Sequence, residues 1–273
     1  MNNAQIVQQY LTELGLTNYV LDLEFINQLQ RKHIAKYSFN SISVLLNQPM
    51  PLDVPHLFNK LITKQSGGYC FEHNKLVYTI LQSLGFDVKL LLAKVVYNRD
   101  INVPRTHRAT LVTYEGADYL LDVGFGPQGA FYPLKLVLDT PQQQGNETFQ
   151  ISKKNETAYH FQVLKNGVFF TLYTFDLNEY TEPDCDLSHF YSHKHPEAAF
   201  VKNLVVSRKT LDTTHSLRNG QYHHITAKHT EITTITCEKQ LHQLLSQQFN
   251  LNLDFAISTY LFRKFALPNS QIR

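Results

Sequence analysis

The spacing of the apolar residues changes twice along this 273-residue chain, and with it the kind of element each third can build. Between Gln5 and Leu84 they recur at helical intervals, as in Leu21, Phe25, Ile26 and Leu29 and again in Leu76, Val77, Ile80, Leu81 and Leu84, with Gly85 as a stop. From Phe86 to about Phe175 the pattern turns to β-rich runs ("VKLLLAKVVY", "ATLVTY", "YLLDVGF", "FQVL", "VFFTLYTF") divided by turn signals at Glu115-Gly116 and Asn166-Gly167. After Pro183 a short helical stretch leads to "NLVVSRKT", a turn at Asn219-Gly220, the strand-like "HTEITTIT" and a helix over "CEKQLHQLLSQQF" that Thr236 is placed to cap. The expected fold is therefore α+β, with a helical part over 1–85, a sheet or barrel over 86–182 and a mixed α/β part over 183–273. No repeat or low-complexity tract interrupts it, and the Gln-rich "TPQQQGNETF" reads as a surface loop.

Composition narrows the function. The chain is 43% hydrophobic, enough for a sizeable core, and its 25 basic and 23 acidic residues are spread evenly, without the one-sided basic density that gripping a phosphate backbone requires. Nucleic acid is not an expected partner. The segment Met1 to Tyr10 lacks the basic start and apolar core of a signal peptide, and no apolar run approaches the roughly 20 residues of a membrane span, so a cytoplasmic protein with no membrane partner is expected. Cys70, Cys185 and Cys237 are odd in number and far apart, which indicates neither a disulfide framework nor a zinc knuckle. Cys70-x-x-His73 and His193 with His195 lack further ligands, and no metal is expected.

One of those cysteines stands in an unusual place. In "SGGYCFEHNKL", Gly67 and Gly68 let the backbone turn tightly, which sets Cys70 on the first turn of the helix running to Leu84. Unpaired N–H groups and the helix dipole at that position favour a thiolate, the nucleophilic form of cysteine. A thiolate nucleophile needs a base, and the base an orienting group. His107 in "PRTHRATLVTYEG" and Asp122 in "ADYLLDVGFG" are suited to both roles if the two segments form a hairpin. A two-residue turn at Glu115-Gly116 pairs Tyr114 with Ala117, places Ala109 opposite Asp122, and makes His107 and Asp122 diagonal neighbours on one face, roughly 7–8 Å apart at the backbone. A turn at Gly116-Ala117 would move them one step further apart, beyond hydrogen-bond reach. Taken singly, Cys70 also fits a small buried residue, His107 a strand-edge polar residue and Asp122 a turn former. Their combination points to nucleophilic catalysis.

These residues resemble the arylamine N-acetyltransferase family of bacterial type, and the resemblance runs over most of the chain. "GGYCFEHN" is followed 37 residues after Cys70 by the His107 of "THRATLV", and 15 residues later by the Asp122 of "YLLDVGFG". "FNSISVLLNQPMPLD" and "SHKHPEAAFVKNLVVS" extend the match. The resemblance implies an N-terminal helical bundle, a central β-barrel and a C-terminal α/β lid, with a Cys-His-Asp triad and acetyl-CoA as acetyl donor. The acceptor it implies is a small aromatic amine or hydrazine, and the enzyme a monomer or weak homodimer. Phe39, Phe125 and Phe200 stand at positions that line the family's acceptor pocket. For the CoA moiety, Gly124 and Gly126 of "GFGPQG" would leave backbone N–H groups open to a phosphate, and Ser207, beside Arg208 and Lys209, is a second contact. Thr106 is a further expected contact of the cofactor, and one N–H of the Arg105 to His107 segment, with the Cys70 N–H, is expected to hold the oxyanion.

Two positions depart from the family pattern. Ser66 stands where the family has an Arg before the glycines, and Phe39-Asn40-Ser41 where it has Phe-Glu-Asn, so the ion pair expected to tie the catalytic loop to the second helical segment is absent as a pair. Loop rigidity is what this puts in question. The triad alone also fits a papain- or transglutaminase-like hydrolase, a macrolactam-forming amide synthase with a carrier-bound donor, or an aromatic-binding module; the identity of the acyl donor separates them.

Overall fold

The computed structural model describes residues 2–267. Its helices are α1 (Asn3–Glu13), α2 (Leu23–Lys36), α3 (Ile42–Leu45), α4 (Val54–Phe58, continued by a π-helical turn over Asn59–Thr63) and α5 (Cys70–Ser83), then α6 (Glu182–Lys194), α7 (Ala199–Lys202), α8 (Glu238–Gln247) and α9 (Phe255–Leu261, continued by a π-helical turn over Phe262–Ala266). Eight of the strands form one antiparallel sheet in the order β5-β4-β3-β2-β9-β8-β7-β6. They are β2 (Asp87–Val95), β3 (His107–Tyr114), β4 (Ala117–Leu121), β5 (Leu134–Lys135), β6 (Gln142–Gln144), β7 (Glu147–Lys153), β8 (Ala158–Lys165) and β9 (Val168–Asp176). A second antiparallel sheet runs β1 (Phe39–Asn40), β10 (Val205–Lys209), β11 (Thr213–Arg218), β12 (Gln221–Thr226), β13 (Thr230–Thr234).

The hairpin that sets the site has the first of the two registers: Tyr114 pairs with Ala117 and Thr110 with Leu121. Both turn residues have positive φ, 49° at Glu115 and 73° at Gly116, as a tight turn between right-twisted strands requires. Alternation then divides β3: Ala109 and Leu111 enter the interior of the eight-stranded sheet with Leu120, Phe161 and Tyr173, while Val112 faces Leu76, Val77 and Ile80 of α5. Six consecutive residues of β3, His107 to Val112, are buried because both faces are covered.

Three expectations are corrected. "TPQQQGNETF" is not a loop: it makes β6 and the start of β7, and it nearly closes the sheet into a barrel. The Gln142 side chain accepts from Lys135 N (2.9 Å) and donates to Lys135 O (2.9 Å), and Gln144 does the same with Tyr132 N (2.9 Å) and Tyr132 O (3.0 Å). A glutamine amide offers the donor and acceptor of a peptide group, so a polar run that reads as solvent-facing extends the ladder sideways. The cap of α8 is Cys237, not Thr236, whose N–H donates to Gln240 Oε1 (2.8 Å). Leu21 precedes α2 and is exposed; Asp22 caps that helix, its carboxylate accepting from Phe25 N at 2.8 Å.

Strand β1 lies between α2 and α3, yet it forms the edge of the second sheet, Phe39 pairing with Ser207 and Asn40 with Val206. An isolated parallel bridge also joins Phe39 to Gly68. The segment ahead of Cys70 is therefore held against β1, which is itself held against β10.

Candidate active site

Cys70 is the first residue of α5 and is almost fully buried, its thiol 3.6 Å from the carbonyl oxygen of Thr106. The geometry of the preceding turn explains how it gets there. Gly67 has φ 63°, a conformation an L side chain rarely adopts. Gly68 donates to Ser38 O at 3.3 Å and accepts from Asn40 N at 2.5 Å.

His107 and Asp122 meet as the register requires: His107 Nε2 lies 2.7 Å from Asp122 Oδ2. Cys70 is close enough to the imidazole to act on its proton. Burial alone would lower the histidine's pKa, but the Asp122 charge and hydrogen bond, with the Cys70 contact, outweigh it and raise it to about 10. For Asp122 burial works upward, and the His107 charge together with bonds from His107, Asn74 and Gly124 holds the carboxyl below its ordinary range. The carboxylate is fully supplied with donors. Oδ1 accepts from Asn74 Nδ2 (2.9 Å) and Gly124 N (2.9 Å), and Oδ2 accepts from Tyr173 OH (3.2 Å) in addition to His107. A buried charge is tolerable only under such pairing.

Three of these supports were not anticipated. Asn74 also donates to Arg108 O (2.6 Å) and accepts from Val123 N (3.0 Å), so one amide ties β3 to the segment that follows β4. Its signal was available: it lies one turn beyond Cys70 on the same helix. Gln30 accepts from Asp122 N at 3.2 Å, and Tyr173 comes from a run that reads only as a core strand. Neither carries a mark in the sequence.

The other expected residues divide into two sets. Phe125 sits edge-on to His107, with ring centres 5.1 Å apart, and Phe39 sits edge-on to Phe200 at 5.8 Å, in the apolar cluster that contains Cys70. Phe39, Phe125, Gly126 and Ser207 line one cavity of about 20 Å3 beside Asp122. Gly124, however, does not offer its N–H to a ligand, because that N–H is bonded to Asp122, and the residue packs under Cys70. A Cβ there would lie 2.8 Å from Cys70 Cα and 2.8 Å from Asn74 Nδ2. Gly124→Ala is accordingly expected to displace the start of α5 and to cost about 1–3 kcal/mol, measurable by denaturant unfolding, with activity falling in parallel. Thr106 also departs from expectation: its N–H donates to Ala93 O (3.1 Å), which leaves its carbonyl, not a donor, towards Cys70. Arg208 donates to Gln248 O (2.6 Å) and Ala35 O (3.1 Å). Lys209 is buried, paired with Glu147 at 2.5 Å and bonded to Gly129 O at 2.7 Å. Lys209 is thus not free for a phosphate, and Arg208 has two of its nitrogens already engaged.

The departures at Ser66 and Asn40 leave the loop held by other bonds. Asn40 Nδ2 donates to Ser66 O (3.0 Å) and its Oδ1 accepts from Ile42 N (3.0 Å). The charge pair of this region is Lys60 with Glu72, at 2.5 Å and nearly buried, and the second Glu72 oxygen accepts from Tyr69 N at 3.1 Å.

The sequence model of a family described as N-acetyltransferase matches residues 22–258. The chain belongs to the arylamine N-acetyltransferase family. It is 31% identical to the arylamine N-acetyltransferase / N-hydroxyarylamine O-acetyltransferase of Salmonella typhimurium over 85% of this chain and 83% of that one. With the arylamine N-acetyltransferase of Mycolicibacterium smegmatis it shares 33% identity over 77% of this chain and 78% of the relative. The solved Salmonella typhimurium structure superimposes with a TM-score of 0.90 at 28% identity, covering 97% of this chain and all of that one. The Mycobacterium marinum arylamine N-acetyltransferase in complex with CoA gives 0.87 at 25% identity, covering 94% of this chain and 98% of that one. This arylamine N-acetyltransferase is thus an acyltransferase with its relatives' fold over nearly its whole length.

Proposed function

We propose that this enzyme moves the acetyl group of acetyl-CoA to the nitrogen of an arylamine, arylhydrazine or similar small aromatic amine by a ping-pong route through a thioester on Cys70. The observation that supports it most directly is the imidazole of His107, bonded to Asp122 through Nε2, with both Asp122 and Cys70 favouring its protonated form. In this reading His107 holds the thiol proton and Asp122 fixes the tautomer and the charge of the ring. The thiolate attacks the acetyl carbonyl, and the tetrahedral oxyanion rests on the Cys70 N–H, a first-turn donor without an intrahelical acceptor. The C–S bond to CoA then breaks, His107 returns its proton to the departing thiolate, and CoA leaves. The amine attacks the acetyl-cysteine, loses a proton to His107, and expels the Cys70 thiolate as the N-acetyl product forms.

The same reading assigns Gly126 and Ser207 to the CoA moiety, and Phe39, Phe125 and Phe200 to the aromatic acceptor. It treats 1–85, 86–182 and 183–273 as bundle, barrel and lid of a cytoplasmic monomer or weak homodimer. Among the described residues no helix is long and apolar enough to cross a membrane. Mixing the protein with acetyl-CoA alone should add one acetyl group, mapped to Cys70 by peptide mass spectrometry. Initial rates with acetyl-CoA varied at several fixed amine concentrations should give parallel lines. Intersecting lines with no trapped acetyl-enzyme would mean direct transfer in a ternary complex and would remove the thioester from the mechanism.

A further inference from the structure

Three residues beyond Cys70 on α5, the imidazole of His73 belongs to a buried chain of polar groups that the chemistry above does not use. Tyr10 OH lies 2.7 Å from His33 Nδ1, His33 Nε2 lies 2.8 Å from His73 Nδ1, and His73 Nε2 lies 3.2 Å from Ser38 O. All four residues are buried, none more than 2% exposed. Only one arrangement of protons satisfies the chain. A carbonyl can only accept, so His73 Nε2 carries its proton. The neutral ring then accepts at Nδ1 from His33 Nε2–H, and His33 Nδ1 accepts from the Tyr10 hydroxyl. Protonating either ring forces the Tyr10 hydroxyl to turn from donor to acceptor.

The chain ends on a carbonyl that bears on the active site. Ser38 O is also the acceptor for Gly68 N, and the Ser38 hydroxyl donates to Phe249 O. We propose that Tyr10, His33 and His73 are positioning residues for acetyl transfer: their proton-ordered chain fixes the Ser38 carbonyl, which fixes the Gly67-Gly68 turn and so the approach of Cys70. The inference rests on Cys70 as nucleophile. The other titratable groups around the chain are Tyr37, whose ring centre is 5.2 Å from that of His33, and the Lys60–Glu72 pair.

The direction of a pH effect follows. Burial, against a weaker opposing pull from Glu72, holds His73 down at about 4, and burial with the His73 charge holds His33 well below its ordinary value. An opened loop therefore takes up protons, below about pH 6.5, that the closed loop refuses, and the closed form loses its advantage as pH falls through that window. His107, raised to about 10, and Asp122, lowered, keep their charges there. His189, held at about 4 by burial and hydrogen-bonded to Tyr69, titrates in the same range, so parent and His73 variants must be compared directly.

The test compares His73→Leu and His73→Gln in the full chain, reading the single-turnover rate of Cys70 acetylation by acetyl-CoA and amide exchange over residues 66–71. His73→Leu keeps the volume and removes both hydrogen bonds; it is expected to slow acetylation about a hundredfold at neutral pH and to speed exchange in the loop. His73→Gln keeps a donor for Ser38 O and an acceptor for His33 without titrating near neutrality. It should stay within about tenfold of the parent, and its loop exchange, measured relative to α8, should rise less steeply below pH 6.5. A folded His73→Leu protein with a parental rate and parental exchange overturns the proposal. If that variant does not fold, His73→Gln decides: a rate as low as the hundredfold loss, or an unchanged pH response, overturns it as well. Absence of acetyl on Cys70 in the parent would instead defeat the nucleophile assignment, and loop exchange would still test the chain by itself.

Discussion

Cys70→Ser is expected to abolish acetyl transfer, by at least about a thousandfold, while leaving the fold in place. A serine hydroxyl fits the space of the buried thiol, so little packing changes. The loss lies in the chemistry. Asp122, by charge and hydrogen bond, and Cys70 after it raise the His107 pKa to about 10. An alcohol does not ionise beside an imidazole as a thiol does, so the second partner disappears and the nucleophile stays protonated. Circular dichroism and the thermal midpoint should stay close to the parent's while turnover vanishes. A variant that keeps more than a few per cent of parental turnover would take Cys70 out of the mechanism.

Asp122→Asn should cost about four powers of ten in transfer, as in serine triads, and here the surroundings make the amide worse than a neutral substitute. Every group aimed at the carboxylate is a donor: Asn74 and Gly124 at one oxygen, His107 and Tyr173 at the other. An asparagine must turn its NH2 towards one of those pairs. If it faces His107, the ring must accept at Nε2 and carry its proton on the side towards Cys70, the wrong tautomer for a base. The sign of the pH effect is fixed by the same contacts. A histidine raised to about 10 lends stability that is complete below about 6.5 and is lost as pH rises through 10, and a lowered aspartate lends stability that is lost as pH falls through its folded value. The variant forfeits both contributions. Alkylation by iodoacetamide, expected to be flat through neutral pH in the parent, should in Asp122→Asn climb towards the about 8.5 of a free cysteine. A flat profile in both proteins would show that Asp122 does not hold the pair.

Much of this site was legible because it depends on local rules. A cysteine after two glycines and before a helical run has few places to go, and one two-residue turn determines which residues of β3 and β4 share a face. What was not legible depends on side chains acting as backbone. Gln142 and Gln144 extend a ladder that peptide groups ordinarily build, and nothing in "PQQQG" marks that use. Arg208 and Lys209 looked available for phosphate because sequence gives charge but not engagement; both turn to carbonyls or to Glu147. Gly124 was read as an opening for a ligand, whereas its missing side chain makes room for the start of α5. Close approach, like hydrogen-bond partnership, is a property of distant segments meeting.

Strand β1 carries a consequence for how the protein is made. Its two residues pair with Ser207 and Val206, Ser38 reaches Phe249, and Asn252 N donates to Gln65 O at 3.3 Å. During synthesis Cys70 and its helix emerge early, but the partners that hold the turn ahead of Cys70, from Val206 to Asn252, lie about 136 to 182 residues downstream of it. Contacts of such separation form late. A nascent or truncated chain can thus contain Cys70, His107 and Asp122, with the Tyr114–Ala117 hairpin already paired, and still lack a fixed Cys70 until the final third has been made and has paired with β1.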